Sequence, residues 1–225
     1  MQIEYQMCYA DDIKNCYKKG YGMKKNTKKQ ITAATILLSF AAITIFVNMK
    51  LVDVASSGNV LEAEGLLKNS KNLDAVNQTD ALGDSPLYIA VTNNKMAMIK
   101  FLIENNASAN TPNKHGYYPL YAAALAGNND AIKFLLNRSD AQKNINTKNG
   151  GEKEGGVYTA LHAAIIRGHP ATVKLLLARG ANPAIKTADG KNAYQLAEEL
   201  SKGAKNSSGH ASHEKIVEIL RAYQK

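Results

Sequence analysis

Cysteine is almost missing from this sequence. Of 225 residues only Cys8 and Cys16 are cysteines, and both precede residue 17. The rest of the chain therefore carries neither a disulfide nor a thiolate metal site. A cysteine-free body tolerates an oxidising compartment without mispairing, and the two thiols read as free and inert. Tryptophan is absent, and arginine is scarce: Arg138, Arg167, Arg179 and Arg221 are the only ones among 28 basic residues. Lysine is a point charge without the bidentate fork of arginine. No basic stripe with interleaved aromatics appears, which excludes nucleic acid as the expected partner. There is no P-loop, no G-x-S-x-G elbow and no H-E-x-x-H pair. The Gly pairs at 150–151 and 155–156 lack the strand–helix context that phosphate binding needs. Nothing marks an enzyme, a metal centre or a cofactor site.

What is present falls into two unlike parts. Residues 1–50 hold eight Lys against three acids, and residues 51–225 hold twenty Lys and Arg against sixteen acids. The formal charge of +9 is thus concentrated at the front. Residues 1–29 read as a basic tail. From Gln30 to Met49 runs an uncharged stretch, QITAATILLSFAAITIFVNM, with Lys28 and Lys29 before it and Lys50 after it. Twenty helical residues span about 30 Å, the thickness of a bilayer's hydrocarbon layer. Residues 30–49 are therefore expected to be a transmembrane or signal segment. As a signal it would start in effect at Met23, with MKKNTKK as the basic region, so Met1 and Met23 compete as the true start. The run is long for a signal, and small residues suit cleavage only after Ser57, which would cut into the body; an uncleaved anchor is preferred. Lys24, Lys25, Lys28 and Lys29 hold the N-terminus in the cytoplasm. The expected localisation is a single-pass membrane protein with its body outside the cytoplasm, or a periplasmic or secreted protein if the segment is cleaved.

The body repeats itself. SPLYIAVTNN from Ser85, YPLYAAALAG from Tyr118, TALHAAIIRG from Thr159 and NAYQLAEELS from Asn192 align, with a key apolar position at Leu87, Leu120, Leu161 and Tyr194. A degenerate copy, LVDVASSG, begins at Leu51. Small residues follow three places on at Val54, Ala90, Ala123, Ala164 and Ala197. Gly58, Asn94, Gly127 and Gly168 follow seven places on, where a helix would end in a left-handed turn. Leu66, Leu102, Leu135 and Leu176 follow fifteen places on, inside the apolar stripe of a second helix. Ser85, Thr159 and Asn192 stand at N-cap positions, and Pro86 and Pro119 at first helical positions. Each unit reads as a helix, a turn, a longer helix and an extended loop. One pair cannot bury its own apolar face, so stacking is required.

TALHAAIIRGHPATVKLLLARGANPAIKTADGKNA resembles an ankyrin repeat along its whole length, and GDSPLYIAVTNNKMAMIKFLIENNASANTPNKHGYYPLYAA is similar. The resemblance covers residues 51–225, in units of about 51–82, 83–115, 116–155, 156–188 and 189–225. It implies an all-α, L-shaped solenoid of helix–turn–helix repeats with β-hairpin loops as fingers. It also implies binding of another protein through the finger tips and the inner face of the first helices. The family's usual His is kept only at His162; Tyr88, Tyr121 and Gln195 replace it elsewhere. The stretch 139–156 carries eight extra residues and reads as a long mobile finger or a flexible insert. The last unit is split by SKGAKNSSGHAS, and Glu198 replaces an apolar residue, so it reads as a polar capping repeat.

His162 with His169, and His210 with His213, could be pictured as metal pairs, but both members of the first pair occupy family positions and the second lacks further ligands. Glu152 and Glu154 have no partner fixed by local structure. Carrying the family's variable positions onto this chain gives candidate partner-binding residues. At the finger tips these are Ala81, Leu82 and Asp84; Lys114, His115 and Tyr117; and Ala188, Asp189 and Lys191. On the first helices they are Thr92 and Asn93; Leu125 and Ala126; and Ile166 and Arg167. The expected function is a non-catalytic protein–protein interaction module with a monomeric body, tethered or exported. The alternatives are a secreted, effector-like interaction protein and a non-catalytic scaffold subunit of an enzyme complex.

Overall fold

A computed structural model describes residues 51–69, 73–150, 158–203 and 209–223. The basic tail, the apolar segment 30–49, Cys8, Cys16, Glu152 and Glu154 lie outside the described residues. Among the described residues no helix is long and apolar enough to cross a membrane.

Helical residues 51–57 (α1) lead into α2 (Val60–Asn69) and a 3-10 turn at Leu73–Asn77. Three helix pairs follow: α3 (Pro86–Thr92) with α4 (Met96–Glu104), α5 (Pro119–Leu125) with α6 (Asn129–Leu136), and α8 (Ala160–Ile166) with α9 (Pro170–Ala178). A short α7 (Ser139–Gln142) precedes α8, and α10 (Ala193–Gly203) with α11 (His210–Arg221) closes the stack. Helices α3, α5, α8 and α10 pack side by side as one layer. Helices α2, α4, α6, α9 and α11 form the second.

The sequence period explains this packing. Leu87, Leu120 and Leu161 are at most 1% exposed, as are Leu102, Leu135 and Leu176 of the second helices. Each contributes roughly 1.5–3 kcal/mol by leaving water. Ala90, Ala123, Ala164 and Ala197 are fully buried between neighbouring first helices, where a larger side chain would overpack the layer. Local chemistry sets the helix starts. Ser85 Oγ accepts the Tyr88 N–H at 3.1 Å, and Pro86 and Pro119 open their helices. Thr159 and His162 form a reciprocal capping box, and so do Asn192 and Gln195.

The turn inside each pair is left-handed at Gly58, Asn94, Gly127 and Gly168, with φ of 82°, 55°, 69° and 70°. The following unit then covers that turn. Asn128 donates to Asn94 Oδ1 at 2.6 Å. The His169 ring lies over Gly127, where a Cβ would come within 2.9 Å of it, and its Nε2 meets the Leu125 carbonyl at 3.2 Å. His213 repeats the arrangement against Gly168, with Nε2 at 3.0 Å from the Ile165 carbonyl. The split last unit thus also covers the turn before it, with His213 reaching the carbonyl three residues before Gly168 where His169 reaches the one two residues before Gly127.

Two expectations change. The fingers are not β-hairpins among the described residues. They are five-residue turns, each closed by an N–H to C=O bond between its ends: Asp80 with Asp84, Asn113 with Tyr117, and Thr187 with Lys191. Side chains complete them. Asp80 Oδ1 accepts the Leu82 and Asp84 N–H groups, and Asn113 Oδ1 accepts those of His115 and Tyr117. With the turn satisfied locally, no ladder is needed; the one β-bridge described, Asn149 with Tyr158, is isolated. The second change concerns the stretch 139–156, whose described part, 139–150, is folded into the stack rather than forming a mobile finger or flexible insert. Ala141 and Ile145 join the core. Asn144 donates to Asn110 Oδ1, and Asn149 Oδ1 accepts the Tyr118 N–H at 2.9 Å. Asp140 takes the Ala109 N–H at 3.1 Å and the Arg138 guanidinium at 3.1 Å. Burial alone would raise this carboxyl, but the Arg138 and Ala109 hydrogen bonds outweigh it and hold it below the usual range.

Candidate functional site

The position after each key apolar residue holds Tyr88, Tyr121, His162 and Gln195. His162 and Gln195 fold back onto their own helix starts. His162 Nδ1 accepts the Thr159 N–H at 3.2 Å, and Gln195 Oε1 accepts the Asn192 N–H at 3.0 Å. His162 is 1% exposed. Burial pushes its imidazole down to about 4, with the Ile185 backbone opposing this only in part. A tyrosine carries its polar atom at the far end of a wide ring and cannot make this short return. Tyr88 and Tyr121 instead stay half-buried at the surface of the first-helix layer.

There they build a groove of about 370 Å³ across three successive units. Tyr88 and Thr92 of α3 line one part, and Tyr121, Ala122, Leu125 and Ala126 of the α5 segment line the middle. Tyr117 stacks on Tyr121 with ring centroids 5.1 Å apart and planes inclined by 28°. Arg167, the C-cap residue of α8, lines the remaining part and, among the described residues, is the only charged one in the lining. Burial, then Asp84 and the neighbouring phenols Tyr117 and Tyr121, push the Tyr88 hydroxyl up to about 12. Burial, then Tyr117 and Tyr158, also raise Tyr121. Both phenols therefore keep their protons at neutral pH and are available as donors.

Of the candidate binding residues, the structure brings Thr92, Tyr117, Leu125 and Arg167 together in this groove, with Ala126. The others do not line it, although Asp84 lies near enough to Tyr88 to raise its hydroxyl. Leu82 is 60% exposed at a finger tip, and His115 is exposed at the next. Asp84 accepts from Asn113 at 3.0 Å, and Lys114 donates to the Ala81 carbonyl, so both tie neighbouring fingers together. Asn93 donates to Ile89 of its own helix, and Ile166 packs against the core. Lys191 pairs with Asp189 at 2.7 Å and also with Glu199 of α10. These hydrogen bonds lower Asp189 and raise Lys191. A second, more open hollow of about 420 Å³ beside Lys191 is lined by Glu198, Glu199 and Lys202. Its charges already answer one another, with Lys202 and Glu198 3.5 Å apart.

Tyr88, Tyr121 and Ala122 are groove residues that the variable-position reasoning missed. The signal was present: Tyr replaces His at one register position in two adjacent units. Among the described residues no group of three or more His, Cys, Asp and Glu could hold a metal ion.

Two family profiles match this architecture. One, described as ankyrin repeats (3 copies), covers residues 51–149. The other, described as ankyrin repeats (many copies), covers residues 142–197. Together they span more than half of the chain.

The chain belongs to the ankyrin-repeat family. Its repeats are similar to part of the transient receptor potential cation channel subfamily A member 1 of Homo sapiens, at 29% identity over 57% of this chain and 11% of the relative. They are similar to part of alpha-latrocrustotoxin-Lt1a of Latrodectus tredecimguttatus, at 33% identity over 62% of this chain and 9% of the relative. A putative ankyrin repeat protein of Rickettsia felis is 29% identical over 56% of this chain and 38% of the relative. The chain therefore spans about a tenth of the first two relatives and well under half of the third. An ankyrin stack is typically a non-catalytic module through which one protein binds another.

Proposed function

We propose that this protein binds a partner protein through the tyrosine-lined groove, and that residues 30–49 hold it at a membrane with the repeats outside the cytoplasm. The observation that carries the binding reading is the groove itself. It places three tyrosines, Leu125 and one arginine on a continuous surface built by three units. Aromatic residues and arginine are the usual anchors of protein interfaces. Such a surface works by shape and local contact, and the fold alone does not fix which protein it takes.

The tether reading is supported by the sequence: an uncharged 20-residue run flanked by lysines, four of them within the seven residues before it. The competing form is a secreted interaction protein released by cleavage. The mass of the mature chain separates the two, since only the tethered form retains residues 30–49. A topology reporter fused after Lys225 tests the orientation; a cytoplasmic signal contradicts it. The binding reading is tested by Tyr117→Ala and Arg167→Ala. Each weakens capture of the partner while leaving thermal stability near that of the parent. Full-strength capture by both variants removes the groove from the interface.

A further inference from the structure

The groove's lining is chemically one-sided. Among the described residues its lining contains a guanidinium and phenol hydroxyls and no carboxylate, with Asp84 acting on Tyr88 from outside the lining. Some surface cations of the stack have acidic neighbours, as Arg138 has Asp140, Lys133 has Asp130, and Lys191 has Asp189 and Glu199. Among the described residues, Arg167 has no such ion pair. It caps the C-terminal end of α8, where a positive charge is favoured by the helix dipole. The phenols of Tyr88 and Tyr121, held protonated, add donor groups to the lining residues. Beside these donors lie the apolar surfaces of Tyr121, Ala122 and Leu125, the last 37% exposed.

Resting on the groove reading above, we propose that the occupant is an extended, acidic segment of a partner protein. One apolar side chain of the segment seats against Tyr121 and Leu125. A neighbouring Asp or Glu carboxylate pairs with Arg167. The dimensions suit such a segment. Helices in contact lie about 10 Å apart, so a path over α3, α5 and α8 covers roughly 20 Å, about six residues of extended chain at 3.3 Å each. A carboxylate fits better than a polyphosphate backbone, because the lining offers a single cation among aromatic and aliphatic surfaces rather than a track of cations. The Tyr-for-His replacements at Tyr88 and Tyr121 give the site its origin. They leave rings at the surface that a family histidine would have withdrawn into its cap, as His162 is withdrawn.

The test is selection of a displayed library of random linear heptapeptides on the full-length chain in detergent, followed by fluorescence anisotropy of the recovered peptides. The expected peptides carry Asp or Glu next to an apolar residue. Their affinity falls at least tenfold on Arg167→Glu and at least tenfold on Leu125→Arg, while circular dichroism stays that of the parent. Changing the peptide's acid to Lys restores binding to the Arg167→Glu variant. Recovered peptides without acidic enrichment that still require Leu125 overturn the acidic-segment proposal and leave the groove reading standing. Recovered peptides indifferent to both substitutions, or no recovered peptide, overturn both. Equal displacement of the peptide by a single-stranded oligonucleotide also overturns the proposal, in favour of a nucleic-acid occupant.

Discussion

His162 couples the fold to pH, and the sign follows from its burial. Its imidazole sits at about 4 in the folded chain against an ordinary 6.5, because burial disfavours the charged ring. At pH 7.5 both folded and unfolded chains hold it neutral, and it costs nothing. As pH falls below 6.5 the unfolded chain takes up a proton that the folded chain refuses. Stability is therefore lost between pH 6.5 and about 4. Linkage over that interval gives a loss on the order of 2–3 kcal/mol by pH 4.5. The control is built into the protein. Gln195 occupies the same register position in the last unit and makes the same return bond to its cap, Asn192 N–H to Gln195 Oε1 at 3.0 Å. His162→Gln should keep the cap and lose the titration. The measurement is urea unfolding followed by circular dichroism at several pH values from 7.5 to 4.5. The parent should lose most of that 2–3 kcal/mol and the variant little of it. Asp140 and Asp189 do not confuse the window, since both carboxyls are held below 3.8 and lose their contribution only as pH falls further. Parallel pH profiles for parent and variant would refute the assignment of acid sensitivity to His162.

Other expected outcomes concern the turns and the core. Gly83→Ala should cost about 2–3 kcal/mol, combining left-handed strain with a displaced inter-finger bond, because φ is +77° and the new Cβ would meet the Lys114 backbone nitrogen at 2.8 Å. Gly180→Ala, at φ +93° with nothing within 4 Å, should cost only the strain of about 1–2 kcal/mol; equal losses in chemical denaturation would contradict the finger-to-finger packing. Gly168→Val should destabilise by more than about 1 kcal/mol and loosen α11 first, since His213 covers that turn. Unchanged melting together with unchanged amide exchange in α11 would count against the repeat register. Leu135→Ala should remove about 2–5 kcal/mol from a fully buried site; a loss under 1 kcal/mol in the same denaturation assay would contradict its place in the core.

The sequence was most legible where one residue type answers one physical demand. The left-handed turns at Gly58, Asn94, Gly127 and Gly168 follow from the two residues that accept positive φ. The helix starts at Ser85 and Thr159 follow from side-chain oxygens placed before apolar runs. The buried leucines follow from their period. Legibility failed where burial is polar. The stretch 139–150 looked loop-like because its apolar residues are few, yet Asn144 and Asn149 are buried through bonds that reach about 30 residues back along the chain. Local patterns do not display such partners. The groove was half legible. Thr92, Leu125 and Arg167 follow from their place on the first helices. Tyr88 and Tyr121 were noticed only as departures from a family histidine. Their place in the groove follows from rings that stay at the surface where His162 is withdrawn. Asp84, Lys114, Asp189 and Lys191 read from sequence as exposed finger residues, but their polar groups hold fingers and helices together.

The central claim is that the partner lies against the first-helix layer, over Leu125. A photo-crosslinking amino acid placed at position 125 of the full-length chain, and separately at the exposed position 133 of α6, tests it directly. The account predicts a crosslinked partner protein from position 125 and none from position 133. Crosslinks from position 133 with none from position 125 would place the interface on the opposite layer and contradict the account.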